Sequence, residues 1–398
     1  MARLTRAAAI AAGAVASSAA FLAGAAAVGG TASGLIERRR NRVLQPGPYH
    51  ASGRALDVHR GLTVVDLHAD SLLWGRDLRR RASYGHVDVP RLVEGGVAIV
   101  GMAASTKVPR RANLDRNDDL SDDVRLLALA QRWPRATWGS TLARALHLAS
   151  RLRSMAVGSA GALTLIETRA DLDAYLARRA IDPRITAAFL AIEGAQVLED
   201  DLANLDILAA AGYRMLSPAH FFDTAYGGSA HGLVKGGLTP AGRDLLSRME
   251  ATGVIMDVAH ASSATIDDIL SIAVRPIVAS HTGVRAAVPG VRNLPDDQVR
   301  GIAATGGLVG IGFWPVASGG DDVGAIARSI VTAIELASVE HVGLGSDFDG
   351  AVPTPFDATG MPMLTEALLA EGLSEDDIAA VMGGNAVRLL AAGLSPVA

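Results

Sequence analysis

Eight short apolar runs recur between residues 62 and 348, and six of them carry a histidine or an acidic side chain at their end or directly after it. They are LTVVDL (62–67), VAIVGMA (97–103), AAFLAIE (187–193), YRMLSPA (213–219), GVIMDVA (253–259), PIVASH (276–281), GLVGIGFW (307–314) and HVGLGSDF (341–348). Each has the length and the unbroken apolar character of a buried strand. Amphipathic segments separate most of them, including 239–252, where Pro240 suits a first helical turn, and 263–273. Repeated βα units of this kind predict an α/β fold, a (β/α)8 TIM barrel. The interval 104–186 is too long for a simple connection and carries helical patterns at 121–133 and 141–156. It predicts a helical excursion after strand 2, a candidate lid. The alternative is an open doubly wound sheet, but no glycine-rich phosphate fingerprint follows the first run.

The chain has 398 residues, 49% of them apolar, enough for one large barrel. It has no cysteine, so any metal must be held by His, Asp and Glu. Residues 1–42 hold six Arg and one Glu, which leaves the remainder with 31 basic and 40 acidic side chains. That balance argues against a nucleic-acid partner. An uncharged stretch from Ala7 to Ile36 lies between Arg3/Arg6 and the basic cluster ERRRNR. It is long enough to span a bilayer but is mostly Ala and Gly, with A-x-A-like sites near residues 23–27. We read residues 1–42 as an N-terminal membrane anchor, with a cleaved signal or a flexible leader as alternatives, and 43–398 as a single catalytic domain. The flanking charges do not fix orientation. The expected location is membrane-anchored or exported, with the periplasmic or extracellular side favoured.

In a barrel, active-site residues project from the C-terminal ends of the strands. The first run ends in His68 and Asp70, the third in Glu193, the fifth in His260 and the sixth in His281. The fourth leads into His220, and the eighth ends at Asp347 and Asp349. The remaining histidines (His50, His59, His86, His147, His231 and His341) read as ordinary surface or loop residues. One strand-end histidine means little, but a barrel gathers all these ends at one mouth. Burying His68, Asp70, Glu193, His260 and His281 together is costly without a cation. Nitrogen and oxygen donors suit zinc, with manganese or cobalt as substitutes. Five ligands are too many for one open catalytic ion. They suit two ions about 3.5–4 Å apart sharing a carboxylate, and Glu193 is the natural bridge.

The ordered series DLHAD, AIEG, LSPAH, GVIMDVAHAS, PIVASHTG, RNLPDDQVR and GSDFDG resembles the membrane (renal) dipeptidase family of zinc metallopeptidases, amidohydrolase-like barrels, over roughly residues 60–390. The resemblance implies two Zn2+ per subunit and hydrolysis of dipeptides. It places His68 and Asp70 on the first metal, His260 and His281 on the second, and Glu193 between them. It implies that His220 polarises the scissile carbonyl and that Arg292 holds the substrate's terminal carboxylate. Asp347, with Asp349 as the fallback, would move the proton between water and the leaving amine. Many members are homodimers, so a homodimer is expected here. Members carry a tyrosine near strand 7 that lines the substrate pocket. Here IGFWPVASGG has Trp314 and no tyrosine, so Trp314 is the candidate lining residue.

The implied reaction is attack on a dipeptide carbonyl by a hydroxide bridging the two zinc ions. A different hydrolase on the same scaffold, an N-acyl-amino-acid deacylase or a lactonase, would share the metal site and differ in the pocket. A barrel that binds without catalysing should lack a ligand or the proton-transfer residue, and none is missing.

Overall fold

The computed structural model describes residues 29–395. Among these described residues ten strands form: β1 (Val64–Ala69), β2 (Val97–Ser105), β3 (Leu163–Leu165), β4 (Thr186–Glu193), β5 (Tyr213–Leu216), β6 (Ile255–Met256), β7 (Val278–Val284), β8 (Asn293–Leu294), β9 (Leu308–Ile311) and β10 (Val342–Leu344). Their order in the sheet is β6-β5-β4-β2-β1-β10-β9-β7-β8, with β3 added beside β4, and every strand pair is parallel. A bridge between Asp257 and Val278 joins the end of β6 to β7. The sheet thus curls on itself as a (β/α)8 barrel. The interior agrees: Val65, Leu67, Ile99, Phe189, Met215, Ile255, Val278 and Leu308, from seven strands, meet in one buried cluster. A flat sheet cannot bring side chains of such distant strands together.

Each of the eight apolar runs contains one barrel strand. The two additional strands, β3 and β8, are too short to register as apolar runs. The amphipathic segments fold as helices Pro240–Thr252, capped by Thr239, and Ser263–Ile272, capped by Ser262. The long excursion after β2 contains helices Asp123–Ala130, Thr141–Val157 and Arg169–Arg179. β4 then returns beside β2 in a seven-residue register. Arg144, buried in the second of these helices, ties the excursion to the end of β2 through hydrogen bonds to Thr106 O, Thr137 O and Asp122, each 2.7 Å.

Residues 1–28 of the proposed anchor lie outside the described residues. Among the described residues no helix is long and apolar enough to cross a membrane. A helix spans Gly29–Arg40, and its last turns pack on the barrel. Glu37, 1% exposed, pairs with Arg76, whose Nη2 lies 2.6 Å from Asp349 Oδ2. Asn41 Oδ1 accepts from Ala351 N at 2.8 Å, and Leu44 N donates to Thr354 O at 2.9 Å. A segment that the sequence assigns to the leader is therefore joined to the loop after β1 by a buried ion pair with Arg76, and through Arg76 to Asp349 in the loop after β10.

Candidate metal centre

Most of the residues singled out above lie near the C-terminal end of a barrel strand or in the loop that follows it. His68 is in β1 and Asp70 follows it. Glu193 ends β4, His281 lies in β7, and Arg292 precedes β8. His220, His260, Trp314 and Asp347 follow β5, β6, β9 and β10 respectively. His260 and Asp347 have positive φ angles of 66° and 59°, unusual for residues with side chains. None of these nine side chains belongs to a residue more than 8% exposed.

The imidazoles converge on Glu193. Its Oε1 lies 3.3 Å from His68 Nε2 and 3.5 Å from both His260 Nε2 and His281 Nε2. Its Oε2 lies 3.4 Å from His220 Nε2. Asp70 Oδ2 is 3.6 Å from His68 Nε2. The His68 and His281 rings stack with centroids 3.7 Å apart, and the Nε2 atoms of His260 and His281 are 2.9 Å apart.

These residues fit a cation. His68 Nε2 and Asp70 Oδ1 are buried and have no hydrogen-bond partner. The carboxylates draw positive charge toward themselves. Burial opposes charging His68, yet Glu193 and Asp70 override it and hold its pKa well above the ordinary value. Burial likewise works against ionised Glu193, but His220 and His68 outweigh it and hold that pKa well below normal. Burial and the charge of Glu193 raise Asp70 to about 6. Two sets, His68–Asp70–Glu193 and Glu193–His220–His260, place one donor atom each within 4.8 Å of one another, and Glu193 is common to both. A third set adds Asp257 to His68 and His281. Asp257 is already committed as an acceptor: Oδ1 takes the N–H groups of Ala259 and Ser280, both at 2.9 Å, and Oδ2 takes the Ser280 hydroxyl at 2.6 Å.

Arg292 is 5% exposed and forms no salt bridge among the described residues, including with Asp296 or Asp297. Its Nη2 donates to His281 O at 2.7 Å and lies 3.1 Å from His260 Nε2. Its guanidinium carbon is 5.4 Å from the centre of the Trp314 ring, which in turn lies 5.9 Å from the His281 ring. The guanidinium therefore stands beside the imidazole cluster with no carboxylate of its own.

The two aspartates after β10 are distinct. Asp349 accepts from Ser71 Oγ, Arg76 Nη2 and His86 N, each at 2.6 Å, and from Val87 N at 3.3 Å. Burial raises its pKa, but Arg76, His86 and Ser71 together outweigh burial and the net shift is downward. The Asp347 carboxylate accepts no hydrogen bond from the described residues, although its backbone oxygen accepts from Gly350 N at 3.0 Å. Burial and the charge of Asp70 push its pKa well above normal.

Three histidines read as surface or loop residues are buried instead. His59 lies between Thr365 and Gly95 O, and His86 supports Asp349. His231, fully buried, packs against His260 with ring centroids 5.3 Å apart. Its Nδ1 lies 2.8 Å from Leu114 O in the excursion, and burial drives its pKa down to about 3. His86 and His231 sit in irregular segments, where spacing carries no burial signal, while His59 lies on the buried face of the helix Gly53–Arg60. Asp257 is a further supporting residue, and an acidic side chain inside an apolar run (GVIMDVA) is itself a signal that a partner waits in the fold.

A barrel carrying these imidazoles and carboxylates on its C-terminal rim defines a metal-dependent hydrolase. The profile of membrane dipeptidase, peptidase family M19, matches residues 52–393, and the chain belongs to that family of metallo-dipeptidases, hydrolases acting on peptide bonds. Among curated relatives, a dipeptidase of Claviceps purpurea, tcpJ, is 28% identical over 315 residues, 77% of this chain and 69% of that protein. A metallopeptidase from Rhodobacter sphaeroides, solved with a phosphinate mimic of the dipeptide L-Ala-D-Ala, superposes with a TM-score of 0.69 at 27% identity, covering 83% of this chain and 99% of that one. A probable dipeptidase of Pseudomonas aeruginosa, PvdM, shares the fold with a TM-score of 0.71 at 20% identity, covering 85% and 97%.

Proposed function

We propose that this chain is a binuclear zinc dipeptidase that hydrolyses the peptide bond of free dipeptides. His68 and Asp70 would hold one ion, His260 and His281 the other, and Glu193 both. When bound, two zinc ions, or manganese or cobalt in their place, supply a water nucleophile at neutral pH and a Lewis acid for the carbonyl. One observation carries the choice of substrate: a buried guanidinium, Arg292, stands at the cluster without a partner carboxylate. A buried cation in that position suits a ligand's carboxylate, which a guanidinium binds bidentately. The distance from Arg292 to the cluster keeps the carboxylate close to the scissile bond, which favours dipeptides over longer chains.

His220 faces the carbonyl oxygen in this reading. Burial lowers its pKa to about 4, so the ring is neutral at pH 7. Ser105 Oγ lies 3.3 Å from its Nδ1, and a hydroxyl donating there leaves the proton on Nε2. That N–H can stabilise negative charge developing on the carbonyl oxygen. Asp347 has a raised pKa and free oxygens, and so suits passing a proton to the departing amine. Trp314 would wall the pocket beneath Arg292. The proposal includes a homodimer, and attachment to or export across a membrane through the N-terminal segment.

The test is metal analysis of the purified protein together with a library of dipeptides, N-acyl amino acids and lactones. Close to two zinc ions per chain and a clear preference for dipeptides are expected. Activity confined to acyl amino acids or lactones, or a protein that takes up no metal, overturns the reading.

A further inference from the structure

Behind the imidazoles, on the side away from Glu193, one hydroxyl touches two of them. Ser280 Oγ lies 2.9 Å from His281 Nδ1 and 3.3 Å from His68 Nδ1, and it donates to Asp257 Oδ2 at 2.6 Å. Ser280 is fully buried and Asp257 is 2% exposed. A serine hydroxyl has one proton and two acceptor lone pairs. Two backbone N–H groups and the hydroxyl all donate to Asp257, the pattern of an ionised carboxylate. The single Ser280 proton is spent on Asp257, and both lone pairs then face imidazole Nδ1 atoms. Each Nδ1 must therefore carry a proton, so that in the neutral form of each ring the Nε2 lone pair is turned toward Glu193.

We propose that Ser280, held by Asp257, is a positioning residue that fixes the tautomer of one ligand on each of the two metals. This rests on the binuclear reading above, in which His68 serves one ion and His281 the other. A carboxylate or carbonyl behind each ligand imidazole is the usual arrangement. Here one oxygen serves two rings, so the two ion sites share a support. The barrel geometry makes this possible, because the His68 and His281 rings are stacked.

The fold contains its own control. Asp66 and Ser346 form a similar pair: Ser346 Oγ donates to Asp66 Oδ2 at 2.6 Å, and Ser346 N donates to Oδ1 at 2.8 Å. Ser346 Oγ otherwise reaches the backbone oxygen of His68, at 3.2 Å, and the Phe348 N–H, at 2.9 Å, and no imidazole among the described residues. Both hydroxyls are fully buried on a buried aspartate, but only Ser280 touches ligand rings.

The experiment measures zinc affinity by chelator competition in the full chain, in Ser280→Ala and in Ser346→Ala. Ser280→Ala should lose roughly 10–100-fold at both sites, while Ser346→Ala stays close to the parent. Parent-like affinity at either site in Ser280→Ala, or an equal loss in Ser346→Ala, overturns the assignment. A second measurement needs no variant. In zinc-loaded protein labelled with 15N-histidine, His68 and His281 should both carry the proton on Nδ1 and the metal on Nε2. Metal on Nδ1 of either ring overturns the proposal. A protein that binds zinc with these tautomers but cleaves no dipeptide would refute the functional reading and leave the Ser280 assignment standing. A protein that takes up no zinc would refute both.

Discussion

Replacing Arg292 by alanine separates recognition of the substrate from the chemistry. The guanidinium is buried beside the cluster and forms no salt bridge among the described residues, so a substrate carboxylate would bring the missing charge. Hydrogen bonds to charged groups contribute about 1.5–3 kcal/mol each, and a buried bidentate pair, after desolvation, about 3 kcal/mol net. At 1.36 kcal/mol per decade, this is a loss of roughly 10²-fold in kcat/KM. The variant also strands the His281 carbonyl that Arg292 now bonds at 2.7 Å, so a simple loss of activity would be ambiguous. The decisive quantity is a ratio. The parent should prefer a dipeptide over the same dipeptide with its C-terminal carboxylate amidated by roughly 10²-fold. In Arg292→Ala that preference should collapse toward unity, because neither substrate has a partner. Steady-state kinetics on both substrates with both proteins, at matched zinc occupancy, reads this directly. If the variant keeps the full preference for the free acid, Arg292 does not hold the carboxylate, and the case for dipeptides falls with it.

Glu193→Gln removes the shared charge, and zinc content should fall below two per chain, with kcat down by at least about 10²-fold; metal analysis and kinetics check both. Chelation should abolish activity and lower the thermal midpoint, and added zinc should restore both, because a ligand that binds only the native state stabilises it by mass action. Arg76→Ala leaves the buried Glu37 and Asp349 carboxylates without their common cation, and should cost about 3–5 kcal/mol in chemical denaturation. Burial, partly offset by Arg76, raises Glu37 from its ordinary 4.5 to about 7. An acid with a raised pKa favours the folded state while protonated and loses that contribution as pH rises through the folded value. Between about pH 4.5 and pH 7 the parent should therefore lose stability relative to Glu37→Gln; parallel denaturation curves across that window would contradict this.

The barrel was legible because parallel strands buried on both faces leave unbroken apolar runs, and all eight runs carry a strand. The imidazole cluster was legible for a related reason. A histidine or carboxylate closing such a run, as in VVDLH or VIMDVAH, marks the place where a strand meets the rim. Supporting groups were harder to see. Asp66 and Asp257 sit inside apolar runs, and their partners Ser346, just beyond β10, and Ser280, in β7, belong to other runs, so only the folded sheet reveals the pairing. Asp347 and Asp349 look equivalent in GSDFDG. Arg76 and His86, from the loops after β1, engage one of them and not the other. β8 covers two residues before Pro295, too short for any periodicity. Glu37 lies beside three arginines and reads as part of a basic flank, yet its true partner, Arg76, is 39 residues on.

The pairing of Glu37 with Arg76 also gives the molecule a front and a back. Arg76 and Asp349 both lie in loops that leave the C-terminal ends of strands, β1 and β10, so the first described helix is fastened on the open side of the cylinder. The last turn of that helix and the two loops it meets therefore brace one another at the rim from which the metal-binding side chains rise, so a change that loosens Glu37 reaches the frame of the site.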